Sequence, residues 1–351
     1  MLDLDRLAEA LAGEPRYGGR PLAPLTDKGL AHDHVRLPGS GLLLRIPKQS
    51  QFGYAAADNL AYQAACFERV AASGHGPRLD GVIAPGPGLP MGALAVEEIA
   101  GRPAVLPSDL PALAEALAAV HALGLPPADK RPPLEDHEDP VAGALAEIRF
   151  QAGYLGRAED LDLETARLLR AELAWAEAFA AEAAGHAQPR RLVLTDTHPG
   201  NFLVRPDGRA VIVDLEKALY GAPAIDLAHA TVFTSTTWDL ESRAELTVEE
   251  VAGFYQRYLE AAGPEAAGSL RPWLLPLRRI LALRALTWCV LWSVEHRRER
   301  RDLAASAGRD WAAGRSDEAL IAHVAGRVAE YLRPATVEAM GREAAALGQL
   351  L

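Results

Sequence analysis

Two alanine-rich, helix-prone stretches, about 139–185 and 248–350, are separated by a short run of strand-forming sequence, Leu192 to Val213. Alanine is the strongest helix former, whereas apolar runs on either side of an Asp-Gly pair specify strands joined by a tight turn. Asp207-Gly208 supplies that pair. The sequence therefore predicts a helical region with one hairpin inserted, a pattern that few fold classes accommodate.

The first hundred residues are mixed. Leu42 to Ile46 follows Pro38-Gly39-Ser40-Gly41 and reads as a strand, with His34 to Leu37 as its hairpin partner. A helical pattern spans about 55–72 and stops at Ser73-Gly74-His75-Gly76-Pro77. Leu79 to Ile83 and Ala93 to Ile99 are two further strands around a Pro/Gly-rich turn. After Gly101-Arg102-Pro103, Ser108-Asp109 is expected to cap a helix carrying Leu110, Leu113, Leu117 and Val120 at helical spacing. The expected architecture is α+β and two-lobed. Residues 1–100 form a small lobe with an antiparallel sheet, a linker lies near 99–103, and residues 101–351 form a larger, mainly helical lobe.

Composition narrows the function. With 49% hydrophobic and 24% charged residues the chain has the balance of a soluble globular protein. A net charge of −11 argues against nucleic acid as a partner. Cys66 and Cys289 show no metal or redox spacing, which excludes a zinc ribbon or a disulfide framework. The N-terminus lacks the apolar core and cleavage site of a signal peptide, and Arg278, Arg279 and Arg284 interrupt the apolar stretch 273–294. No membrane partner is expected, cytoplasm follows by default, and no sequence feature specifies an oligomeric state.

The chemistry concentrates in Asp196-Thr197-His198-Pro199-Gly200-Asn201 and, after the hairpin, in Asp214-Leu215-Glu216. An aspartate, an amide five residues on and an acidic pair at the end of a strand converge at the mouth of one hairpin. Such a set suits a nucleotide-bound Mg²⁺, which takes hard oxygen ligands, few of them from protein. Asp196 is then placed to orient a substrate hydroxyl during in-line phosphoryl transfer.

These residues, with Tyr220-Gly221-Ala222-Pro223-Ala224-Ile225-Asp226-Leu227-Ala228 downstream, resemble the aminoglycoside phosphotransferase and choline kinase group, whose fold is protein-kinase-like. The resemblance implies an ATP-dependent kinase acting on a small-molecule hydroxyl, in an amino-alcohol, an aminoglycoside or a sugar. By it Asp196 is the catalytic aspartate, Asn201 and Asp214 are Mg²⁺ ligands, and Glu216 is a second acidic ligand. Asp226 steadies the catalytic loop through backbone hydrogen bonds. On the nucleotide side, Gly29 lies in the turn over the phosphates, and Arg45 or Lys48 reaches them. Backbone groups at Glu98, Ile99 and Ala100 bind the adenine edge. His121 is expected to be a packed structural histidine, and His198 to give packing or polar support.

Two positions depart from the group's pattern. Leu194 stands where a histidine is usual, and Gln63 where the helix partner of the basic residue is a carboxylate, with Glu68 five residues further on. A degenerate kinase that binds nucleotide or a partner without efficient turnover is therefore the alternative. On the acceptor side Trp238, Asp239 and Glu241 are near one another in sequence, and Trp288 and Trp292 lie four apart on one helix. Tryptophan beside a carboxylate holds cationic amines; on an amphipathic helix it more often fills the core.

Overall fold

Asp3 opens the first helix, α1 (Leu4–Leu11), by accepting the N–H groups of Asp5 and Arg6 at 3.1 Å each. The computed structural model describes residues 2–25, 31–301 and 318–351. Strands β1 (Ala23–Pro24), β2 (His32–Leu37) and β3 (Leu42–Pro47) precede helix α2 (Ala56–Ala71), and β4 (Leu79–Ile83) and β5 (Ala93–Glu97) follow it. They form one antiparallel sheet in the order β1-β2-β3-β5-β4. The β2–β3 turn needs left-handed backbone at two positions, and glycine occupies both, Gly39 (φ 76°) and Gly41 (φ 70°).

Strand alternation sends the sheet's two faces to two different cores. Ala93 and Ala95 of β5 pack with Leu7, Leu11, Val35 and Leu44 under α1. Leu94 and Val96, between them, face Leu60, Phe67 and Val70 of α2, in a core that continues into the helical half.

β6 (Arg102–Pro103) leads into α3 (Leu110–His121), α4 (Pro140–Ala152) and α5 (Leu163–Ala183). The strand-rich insertion comprises β7 (Arg191–Val193), β8 (Phe202–Val204), β9 (Ala210–Ile212) and β10 (Leu219–Gly221). β8 and β9 form the expected hairpin, turned at Gly208 (φ 87°), while β7 pairs with β10 and β6 with β8. Helices α6 (Pro223–Thr231), α7 (Phe233–Thr236), α8 (Val248–Ala262), α9 (Pro264–Leu270), α10 (Leu274–Arg301), α11 (Glu318–Tyr331) and α12 (Pro334–Leu347) complete the chain.

The cap expected from Ser108-Asp109 does not form. Asp109 precedes α3, but its carboxylate accepts from Arg102 (2.6 and 2.9 Å) and from the N–H of Val105 (2.7 Å), and Ser108 donates to Val105 O. The nearer arginine and loop amide outcompete the helix N–H groups. Each arginine in the 273–294 stretch finds a partner. Arg278, fully buried, bonds Glu343 of α12 and Thr231 of α6; Arg279 pairs with Glu172; Arg284 donates to Thr195 O. Among the described residues no helix is long and apolar enough to cross a membrane.

Candidate active site

Asp226, wholly buried at the start of α6, shapes the loop after β7. Its two carboxylate oxygens accept the N–H groups of Leu194 and Thr195 at 2.7 Å each. His121 Nε2 lies 3.1 Å from the same carboxylate and His121 Nδ1 2.9 Å from Tyr258 OH, so this histidine is a buried structural bridge. Thr197 closes the arrangement by donating its hydroxyl to Asp226 O (2.7 Å) and its N–H to His229 Nδ1 (2.8 Å).

Between these anchors Thr195 adopts φ 59°, a left-handed backbone that costs a branched side chain roughly 1–3 kcal/mol unless its surroundings hold it. Three bonds do so. Its N–H reaches Asp226, its hydroxyl donates to Lys217 O (3.0 Å), and its carbonyl accepts from Arg284 (2.7 Å). Leu194 is buried in the core, so the loop takes its orientation from Asp226 rather than from a side chain at 194.

The bent loop presents Asp196. Its Oδ2 meets Lys217 Nζ at 3.1 Å and its Oδ1 lies 3.8 Å from His229 Nδ1. Burial acts to raise the Asp196 carboxyl, but Lys217, His198 and His229 together outweigh it and hold it well below the usual carboxylate range. Asn201 Nδ2 donates to the Asp196 carbonyl (2.8 Å), which leaves the Asn201 Oδ1 lone pairs for another ligand. Gly200 sits between them because a Cβ there would lie 2.9 Å from both Asp239 Cβ and His198 Cε1. Asp239 is thereby packed against the loop that carries Asp196 and Asn201, and the His198 Nδ1 has no hydrogen-bond partner among the described residues.

The acidic pair after β9 faces the sheet. Asp214 Oδ1 accepts from Arg45 Nη2 at 2.6 Å, and Arg45 Nη1 bonds Val213 O at 3.2 Å. Burial pushes the Asp214 carboxyl up, and Arg45 and His32 more than reverse this, leaving it lowered. Glu216 is more deeply buried. Gln51 Nε2 donates to its Oε1, and its Oε2 lies 2.8 Å from His32 Nε2 and 3.5 Å from Arg45 Nη2. Burial and then the like charge of Asp214 push this carboxyl up. Ligating atoms of His32, Asp214 and Glu216 all lie within 4.8 Å of one another. Within this cluster the Glu216 oxygens are taken by Gln51, His32 and Arg45, and Asp214, 31% exposed, is the carboxylate open to a divalent cation.

The nucleotide-side expectations divide. Arg45 reaches the acidic pair, whereas Lys48 lies 3.5 Å from Asp33. Gly29 falls outside the described residues. Glu98, Ile99 and Ala100 form the connection from β5 to β6; the Glu98 N–H donates to Gly41 O and its side chain takes Arg36 at 2.5 Å. The main chains of Ile99 and Ala100 have no partner among the described residues. Gln63, which stands where the group has a carboxylate, bonds His32 rather than Arg45: its Oε1 lies 3.2 Å from His32 Nε2.

The two tryptophans on one helix divide. Trp292 is buried and stacks on His296 (4.4 Å), whereas Trp288 meets Trp238 edge-on at 5.6 Å beside Asp239. Sequence reasoning missed Lys217, His229, His32 and Gln51. Lys217 and His229 had a signal, since one directly follows the acidic pair and the other directly follows Asp226-Leu227-Ala228; His32 and Gln51 lie far from the motif and had none.

Residues 31–273 match the model of a family described as the phosphotransferase enzyme family. No curated protein matches the chain at a significant level. In fold it is similar to a choline/ethanolamine kinase family protein from Mesorhizobium loti (TM-score 0.60, 21% identity, 99% of each chain). It is also similar to the apoenzyme of a macrolide 2′-phosphotransferase from Brachybacterium faecium (TM-score 0.53, 18% identity, 92% of this chain and 98% of that one). A spectinomycin phosphotransferase solved with ADP and spectinomycin aligns with TM-score 0.58 and 14% identity over 99% of this chain and 98% of that one. At these identities the likeness is one of fold, the two-lobed protein-kinase-like architecture.

Proposed function

The chain belongs to the phosphotransferase enzyme family, and on that premise we propose that it transfers the γ-phosphoryl group of ATP to a hydroxyl of a small molecule, with Mg²⁺ as cofactor. The observation that carries this reading is the joining of Asn201 to Asp196 through a 2.8 Å bond. It sets a metal-competent amide and an ionised carboxylate at one loop, opposite Asp214.

Asp196 is the residue that receives the acceptor. Held ionised chiefly by Lys217, it accepts the hydrogen bond of the incoming hydroxyl and aims its oxygen along the line of transfer. Asn201 and Asp214 would hold Mg²⁺, which when bound neutralises charge on the phosphate oxygens. Arg45 supplies a fixed cation on the sheet side of the same space. The unpartnered main chain at Ile99 and Ala100 suits the adenine edge, next to Glu98. Asp239, packed against Gly200, and the Trp238–Trp288 pair, whose Trp238 is next to it in sequence, favour a cationic acceptor, an amino-alcohol or an aminoglycoside, by cation–π attraction plus charge. A cytoplasmic setting, where ATP and Mg²⁺ are both supplied, fits this use.

The reading is tested by Mg·ATP-dependent thermal stabilisation and by phosphoryl transfer to amino-alcohols, aminoglycosides and sugars. Wild type, Asp196→Ala and Asp214→Ala are compared. Stabilisation in wild type and Asp196→Ala, with turnover in wild type alone, is the expected result. Absence of any nucleotide response in all three proteins overturns it, and binding without turnover across the acceptors favours the degenerate kinase.

A further inference from the structure

Arg45 has no acidic partner on α2. The helix presents Gln63 instead, and Gln63 is occupied with His32. Both carboxylates near the guanidinium come from the segment after β9, Asp214 at 2.6 Å and Glu216 at 3.5 Å. Resting on the phosphotransferase reading above, we infer that Glu216 is the positioning residue for Arg45 rather than a metal ligand, taking over the work a carboxylate on α2 would do.

Three observations carry this assignment. The Glu216 oxygens already receive protein donors. Gln51 Nε2 serves Oε1, and His32 Nε2 serves Oε2 at 2.8 Å. His32 Nε2 faces only oxygens, those of Glu216 and Gln63, so it carries the hydrogen and donates. Second, Glu216 is 4% exposed against 31% for Asp214, so the two acids of the pair face different surroundings. Third, Arg45 is held in place on its other sides, by Val213 O at 3.2 Å and by the face of Phe67 at 5.4 Å. If Asp214 held a divalent ion, Arg45 would lose the tighter of its two carboxylates, and Glu216, whose oxygens face only donors, would still oppose the guanidinium charge and keep it aimed at the phosphates.

The closing experiment uses the full chain and two probes, ADP binding by calorimetry and Mn²⁺ affinity of the ADP complex by paramagnetic resonance. Glu216→Gln should weaken ADP binding about tenfold, the scale of one charge-assisted hydrogen bond, and raise the KM for ATP more than it lowers kcat. Its Mn²⁺ affinity should stay within about twofold of wild type. Asp214→Asn should do the opposite, losing Mn²⁺ first.

Gln63→Glu supplies a second variant that leaves Glu216 in place. Alone it should weaken ADP binding, because two carboxylates then crowd His32; combined with Glu216→Gln it should recover part of the loss. Loss of Mn²⁺ affinity in Glu216→Gln equal to that in Asp214→Asn, with metal-free ADP binding unchanged, makes Glu216 a ligand and overturns the inference. So does failure of Gln63→Glu to change sign between the two backgrounds. If wild type binds no ADP, it is the phosphotransferase reading that falls.

Discussion

Lys217 Nζ lies 3.1 Å from Asp196 Oδ2, so the residue directly after the acidic pair neutralises the carboxylate of a loop 21 positions earlier. Lys217 is the strongest of the influences that lower the Asp196 carboxyl. In Lys217→Met, the acid limb of the pH profile for kcat/KM should move to higher pH, because the carboxyl then takes up a proton more readily. The rate at neutral pH should fall by about tenfold, within the range that positioned acid–base groups supply. An acid limb that does not move would show that Lys217 does not govern Asp196.

Asp226→Ala removes the acceptor of two buried peptide N–H groups, those of Leu194 and Thr195. Leaving them unmet should cost about 2–5 kcal/mol of stability. A thermal melt reads this as a fall of several degrees. Turnover should fall further than the stability loss alone predicts, because the strained φ at Thr195 then loses one of its three anchors.

His229 gives the fold a pH dependence. Burial, against the opposing pull of Asp196, lowers its imidazole to about 3, and its Nδ1 must stay unprotonated to accept the Thr197 N–H. The unfolded histidine titrates near 6.5. Below that pH the unfolded chain takes up a proton that the folded one refuses. The contribution of His229 is therefore complete above about 6.5 and is lost progressively as pH falls towards 3. His229→Gln keeps an acceptor for Thr197 and should flatten stability against pH between about 6.5 and 4.5, by up to about 1.4 kcal/mol per pH unit. Melting temperatures measured across that interval check it; an unchanged slope would assign the acid sensitivity elsewhere.

Asp239 lies against Gly200, beside the Trp238–Trp288 pair. For cationic acceptors, Asp239→Asn should raise the acceptor KM about tenfold while leaving the KM for ATP unchanged. Neutral sugars should show no such shift. Steady-state kinetics with one acceptor of each kind decides between the two substrate classes.

Much of this site was legible because it is local. Asp196, Asn201, Asp214 and Asp226 fall within 31 residues, in an order and spacing that a single loop, hairpin and helix entry can satisfy. Four of the strands before Gly101 were legible through their turn residues, since Gly39 and Gly41 occupy a conformation other residues avoid, whereas the two-residue β1 (Ala23–Pro24) was not. The failed cap at Asp109 was not legible, because it depends on Arg102, across the bend from the helix it was expected to cap.

What the sequence by itself determined is the kind of chemistry: a carboxylate, an amide and a second carboxylate at fixed offsets around one hairpin, matching a phosphotransferase over residues 31–273. Only the tertiary structure decided how those groups are charged and held. Arg45 reaches Asp214 across 169 residues, and His32 and Gln51 converge on Glu216 from the sheet side. Such contacts leave no periodic trace in the chain. They exist because the sheet's inner face and the helices share one core, which brings distant residues within hydrogen-bonding reach where water is excluded and charge acts strongly.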